Sequence, residues 1–226
     1  MMWMSWGNAW AGMGLALVLA VCFFWPARHW SWSLPIELEP ELEARPQRAH
    51  RQWGGICQGL ALVLMLWAGW RWHLTPATVA ACVFIAGTAL LAWIDAETGY
   101  LPDRLTLPLL WLGLLVNLDY TFTSLPLAVL GAALGYGSLW LLNYVFLLLT
   151  GRAGMGHGDF KLLAALGAWL GATALPGMVL SASVLGLLAA LLLRLSGRLE
   201  AGQAIHFGPY LVLGSWVMLF SLPRIL

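Results

Sequence analysis

Apolar runs separated by short polar links occupy most of the chain, and they approach or exceed the ~20 residues that a helix needs to cross ~30 Å of hydrocarbon. They define eight candidate spans, at about residues 6–25, 54–71, 77–94, 105–122, 126–149, 162–175, 177–193 and 207–223. The alternating ten-residue pattern of a lipid-facing barrel is missing. The predicted fold is therefore all-α, a polytopic membrane helix bundle with about eight transmembrane helices. Residues 162–193 form one run too long for a single crossing, and Pro176-Gly177 in its middle is a turn signal that predicts a hairpin. That leaves the sixth span short. A helix beginning at Asp159 would lengthen it and draw that carboxylate and Lys161 towards bilayer depth. The first run, ending at Trp25, lacks a basic n-region and an A-x-A-like end, so it is expected to be a retained helix rather than a cleaved signal.

Composition agrees with this class: 61% of residues are apolar, 9% are charged, and the mean hydropathy is +0.81. The net charge of +1 and the scattered basic residues give no basis for a nucleic-acid partner. Cys22, Cys57 and Cys82 all fall in apolar segments without a CxxC pair or histidines at ligand spacing. Neither a disulfide framework nor a metal site follows, and packing accounts for all three. With the 26–53 loop taken as cytoplasmic, that side collects Arg28, Arg45, Arg48, Arg51, Arg104, Arg152, Lys161, Arg194 and Arg198, leaving Arg71 and Arg224 opposite. Nine against two is a strong positive-inside bias. In the 26–53 loop, alternating Glu37, Glu39, Glu41 and Glu43 precede three arginines, the pattern of a solvated segment. Gly131 with Gly135 and Gly167 with Gly171 have the small-xxx-small spacing that lets helices approach, and are taken as packing.

Chemistry is confined to a few short stretches. Asp95 and Asp159 each stand where an apolar run meets a polar link, and two spans separate them, so both carboxylates return to one face of the bilayer. Ionisable residues at membrane depth are expensive and are functional candidates by default. Asp95-Ala-Glu-Thr-Gly-Tyr-Leu-Pro102-Asp103 ends in a proline that restarts the chain into the next span. Gly154-Met-Gly156-His157-Gly158-Asp159-Phe160-Lys161 is glycine-dense before its acid, which lets backbone approach a ligand or helix closely. Gly208-Pro209-Tyr210 is expected to break the last span near the same face. Two carboxylates held close share a proton, so one can serve as general base and the other as general acid. Two independent helix caps are the plainer reading of the same residues, since an acid at a helix start is favoured by the dipole.

The stretches Asp95 to Pro108 and Gly154 to Gly171 closely resemble the type IV prepilin peptidases, the GxGD-type intramembrane aspartyl proteases. Phe207-Gly208-Pro209-Tyr210 resembles that family's C-terminal signature, so the likeness runs from about residue 54 to the end. It implies a leader peptidase that removes the short basic leader of type IV prepilins or type II secretion pseudopilins at the cytoplasmic face of the bacterial inner membrane. Asp95 matches the first catalytic aspartate and Asp159 the second. Gly156, Gly158, Pro102, Gly208 and Pro209 match supporting motif positions, and His157 falls at the variable position of GxGD. Lys161 matches the basic residue after the motif, with phosphate or carboxylate contact or an effect on Asp159 as its implied roles. The implied domains are 1–53, a first transmembrane helix and short cytoplasmic loop, and 54–226, the peptidase domain.

The chain departs from the family in the first loop. Longer members carry a four-cysteine module there, resembling a zinc site, and also methylate the new N-terminus with S-adenosylmethionine; here the loop has no cysteine. Peptidase activity is expected without a cofactor or metal, and S-adenosylmethionine only if methyl transfer is retained. The expected partners are prepilin or pseudopilin substrates and membrane lipids. From another class, an ion- or proton-coupled transporter would use the same two acids. Their placement at one face rather than at the midplane, and the lack of matched halves, argue against it.

Overall fold

The computed structural model describes residues 8–24, 50–152, 154–197 and 206–221, with the side chains of 50–53 left out. Residues 26–49 of the expected 26–53 loop, with its glutamates and most of its arginines, lie outside the described residues, and 50–53 belong to a helix. Every regular element among the described residues is helical. In chain order these are α1 (Asn8–Phe24), α2 (His50–Trp72), α3 (Pro76–Thr98), α4 (Asp103–Val116), α5 (Leu125–Thr150), α6 (His157–Leu170), α7 (Leu175–Leu195) and α8 (Gly208–Ser221). Each overlaps one of the apolar runs, though α4 stops at Val116 rather than near 122 and α6 covers 157–170 rather than 162–175. Three of the segments, Pro76–Thr98, Leu125–Thr150 and Ala172–Leu195, are long and apolar enough to cross a membrane. The chain divides into two compact units at Leu105/Thr106, within α4.

In the first unit α2 packs on α3. α1 crosses α2 at Gly12 and Gly69, where the Cβ of any larger residue would run into the opposing backbone. α3 starts at a proline, where the missing N–H costs nothing. Most of its residues are buried, Thr78 and Thr88 included, while Val79 and Val83 stay exposed on one face of its first half. Thr88 resolves its burial locally, its hydroxyl donating to the carbonyl of Phe84 at 2.7 Å.

In the second unit the largest interface joins α5 to α6. Gly131 of α5 meets Gly167 of α6 backbone to backbone, and one turn on, a Cβ at Gly135 would stand 2.6 Å from the carbonyl oxygen of Leu163. The two glycine pairs of the sequence therefore act in packing, although Gly171 does so differently: its φ of 83° lets the chain leave α6. This is where the hairpin turns. α6 ends at Leu170, a 3-10 turn covers Ala172–Ala174, and Pro176 sits in the first turn of α7. The expected turn at Pro176-Gly177 is thus displaced by a few residues, because a proline is well tolerated at a helix start while the reversal itself needs a left-handed residue. The turn is held by Asn117, whose Nδ2 donates to the carbonyls of Ala168 and Trp169 at 2.9 and 2.8 Å. Its Oδ1 accepts from the N–H groups of Phe122 and Thr123 at 3.0 and 3.1 Å. α5 and α7 keep most of their apolar side chains exposed, the surface a bilayer would cover.

Candidate active site

Asp95 belongs to the first unit, in the last turn of α3. The helix continues to Thr98 and stops at Gly99, whose φ of 67° is the left-handed conformation glycine adopts without strain. The Gly99 N–H closes back on the Asp95 carbonyl at 2.8 Å. Asp95 is 5% exposed, an acid carried at the end of the best-buried helix of this unit. Around it, Trp93 packs with Leu90 and Ile94, and Phe23, Cys57 and Leu105 cover that cluster. The Trp93 indole N–H donates to Oε1 of Glu97 at 2.6 Å. Gly54 lies against that indole, so near that a Cβ would collide with the ring. The turn bearing Asp95 is therefore wedged in place by aromatic packing and by a charge-assisted hydrogen bond. Pro102 immediately precedes α4, and its carbonyl accepts from the Leu105 N–H at 3.0 Å, the restart that its position predicts.

Asp159 belongs to the second unit, in the first turn of α6. Gly156 is the N-cap, in extended conformation at φ −76° and ψ 149°, and its carbonyl accepts from the Asp159 N–H at 3.3 Å. The helix begins at His157, two residues before the acid, so Asp159 and Lys161 both ride on α6 as the short sixth span suggested. An acid here faces unsatisfied N–H groups and the positive end of the dipole, which stabilises the helix start. Asp159 is half-buried and Phe160 beside it is fully buried. The Phe160 ring meets Tyr136 of α5 edge-on at 5.9 Å and His157 at 5.4 Å. His157 itself is exposed.

Asn143 has no place in the sequence motifs, yet it holds the approach to this turn. Its Oδ1 accepts from the N–H groups of Gly154 and Met155 at 2.9 and 3.0 Å. The available signal was a lone amide inside the otherwise apolar α5. Gly208 and Pro209 occupy the first two positions of α8 and therefore start that helix rather than breaking it. The Phe207 carbonyl accepts from Tyr210 and Leu211 at 3.1 Å each. Among the described residues no three His, Cys, Asp or Glu side chains form a metal-ligand set.

Residues 82–191 match the model of the type IV leader peptidase family, a segment that runs from α3 to α7 and contains both aspartates. The chain belongs to that family over this segment. With its apolar helices, this makes it a membrane protein. It is 48% identical over 161 residues to the prepilin leader peptidase/N-methyltransferase of Neisseria gonorrhoeae, covering 71% of this chain and 54% of that protein. The protein of the same name from Dickeya chrysanthemi is 49% identical over 172 residues, covering 71% of this chain and 60% of that protein. That of Dichelobacter nodosus is 50% identical over 137 residues, covering 61% and 46%. The chain thus spans about half the length of the curated relatives it matches. No solved structure matches it. Gly208 and Pro209 lie beyond the family segment.

Proposed function

We propose that the chain is an aspartyl endopeptidase of the membrane that removes the short basic leader of prepilins or of type II secretion pseudopilins. The observation that carries this reading is the family segment itself, which includes two acids each set in a helix-terminal turn at the edge of an apolar run. Residues 54–226 form the peptidase domain in this reading, and the eight helices each cross the bilayer. α4 and α5 lie between the acids, so the end of α3 and the start of α6 face the same side. The charge bias makes that side cytoplasmic.

In the proposed mechanism the Asp95 and Asp159 carboxyl groups form one titrating pair that shares a proton. The ionised member takes a proton from water as its oxygen attacks the scissile carbonyl, and the protonated member gives its proton to the carbonyl oxygen. As the resulting diol collapses and the C–N bond breaks, the carboxyl group that took the water proton gives it to the departing amine and the ionised one takes a hydroxyl proton from the diol, which restores the pair. Lys161, two residues beyond Asp159, places a positive charge near this chemistry. Gly156, where a Cβ would meet nothing, leaves the backbone before α6 uncluttered for an extended substrate, and Gly158 follows it in the first turn; Pro102 precedes α4, and Gly208 and Pro209 start α8.

Asp95→Asn and Asp159→Asn are each expected to abolish cleavage of a prepilin-like substrate while the protein still accumulates in membranes, because an amide keeps the shape but cannot cycle a proton. Asp103→Asn and Asp119→Asn should matter much less. Near-wild-type turnover by either of the first two variants would sink the mechanism.

The relatives' names also carry an N-methyltransferase activity, which supports a second reading in which this chain methylates the new N-terminus. The glycine-rich stretch 154–158 does not suit S-adenosylmethionine, since the Gly154 and Met155 N–H groups are held by Asn143 and the Gly156 carbonyl by Asp159. Mass spectrometry of the cleaved product decides the matter. A methyl-mass increase that required both this chain and S-adenosylmethionine would establish the second activity.

A further inference from the structure

α5 offers α6 one residue per turn. Gly131, Gly135 and Leu139 are buried along this stripe, and Asn143 is its next member. The meetings of Gly131 with Gly167, Gly135 with Leu163 and Tyr136 with Phe160 set an antiparallel register. In that register Asn143 falls opposite Met155, just before α6 starts. What faces the stripe there is bare backbone with two N–H groups to satisfy. An apolar residue would leave those donors without the partner that the Asn143 Oδ1 supplies to both.

The loop needs such an anchor. Glycines at 154, 156 and 158 lose more conformational freedom on ordering than any other residue. A Cβ built on Gly156 would meet nothing, so packing does not wedge that residue in place. The link is instead tied back to α5. Gly151 closes on the Leu147 carbonyl at 2.8 Å, Gly154 lies against the Phe146 ring, and Asn143 takes the next two donors. We propose that Asn143 is a positioning residue for Asp159. By gripping Gly154 and Met155 it fixes how the chain enters Gly156, the residue on which α6 and its first-turn acid are seated. This inference rests on the peptidase reading for its effect on rate and on the hydrogen bonds alone for its effect on the loop.

Asn143→Leu removes the acceptor at similar volume, and Asn143→Asp keeps an oxygen that can accept from both donors. In the purified full chain, hydrogen–deuterium exchange over residues 154–161 should quicken in Asn143→Leu and return towards wild type in Asn143→Asp. On a prepilin-like peptide with a basic leader, Asn143→Leu should lower kcat roughly tenfold to a hundredfold, the scale of a 1 Å misplacement. KM and the thermal midpoint should hold, and Asn143→Asp should recover most of the rate. Unchanged exchange in Asn143→Leu would overturn the proposal. So would a kcat loss matched by an equal fall in thermal midpoint that Asn143→Asp fails to repair. If the wild-type chain leaves the peptide intact, the peptidase reading fails by itself, and the exchange difference still decides whether Asn143 holds the loop.

Discussion

Gly135→Ala tests the closeness of the α5–α6 crossing with one methyl group. Its Cβ would stand 2.6 Å from the Leu163 carbonyl oxygen, 2.9 Å from that carbonyl carbon and 3.1 Å from the Ala164 Cα. A relaxed carbon–oxygen contact lies at about 3.3 Å or more, so the helices must part by about 0.7 Å. All three obstructing atoms are backbone, and no side chain can rotate out of the way. A radial gap of that size forfeits about a quarter to a half of the dispersion energy across the contacts it opens. With overpacking strain the cost is about 1–3 kcal/mol, offset by at most ~1 kcal/mol from the better helix propensity of alanine. Leu163 lies one turn beyond Asp159 on α6, so the same displacement reaches the acid, and cleavage should fall by more than the stability loss alone explains. Gly137→Ala is the matched control. It lies two residues along the same helix, where a Cβ meets nothing within 4 Å, and it should be neutral or stabilising by up to ~1 kcal/mol. Thermal unfolding in detergent and cleavage of a prepilin-like substrate measure both effects. Equal behaviour of the two alanine variants would refute the close crossing.

Gly99→Ala should destabilise the chain by about 1–2 kcal/mol, since alanine resists the left-handed conformation that ends α3; cleavage should drop with it as the turn under Asp95 frays, and an unchanged thermal midpoint would count against that cap. Cysteine labelling in intact cells should place Glu97 and the Thr150–His157 link on the cytoplasmic side and His73 on the other. Finding Glu97 and Thr150 on opposite sides would break the topology and return the transporter reading to consideration. EDTA should leave cleavage unchanged, because a pair of carboxyl groups activates water without an ion; a loss of activity restored by added metal would show the mechanism to be incomplete.

Length and polarity along the chain were enough to read α3 and α5 as spanning helices, because the cost of placing a helix in hydrocarbon is summed residue by residue and needs no knowledge of neighbours. The same local bookkeeping made Asp95 and Asp159 conspicuous: an ionisable side chain at the end of an apolar run is visible wherever the chain goes. Pairing was not visible in this way. Small-xxx-small spacing marks Gly131 and Gly167 as able to approach another helix, but that they approach each other depends on an antiparallel register between residues 36 positions apart. The α6–α7 break is a similar case. Pro176 carries the stronger local turn signal, yet Gly171 makes the reversal, where Asn117 reaches across from another element to hold the carbonyls of α6. Asn143 is the plainest example, since a single amide in an apolar helix says only that some polar group must be satisfied. That its partners are the two N–H groups entering the Asp159 turn was decided by the tertiary structure, because a hydrogen bond between separate segments exists only once packing has brought donor and acceptor within 3 Å.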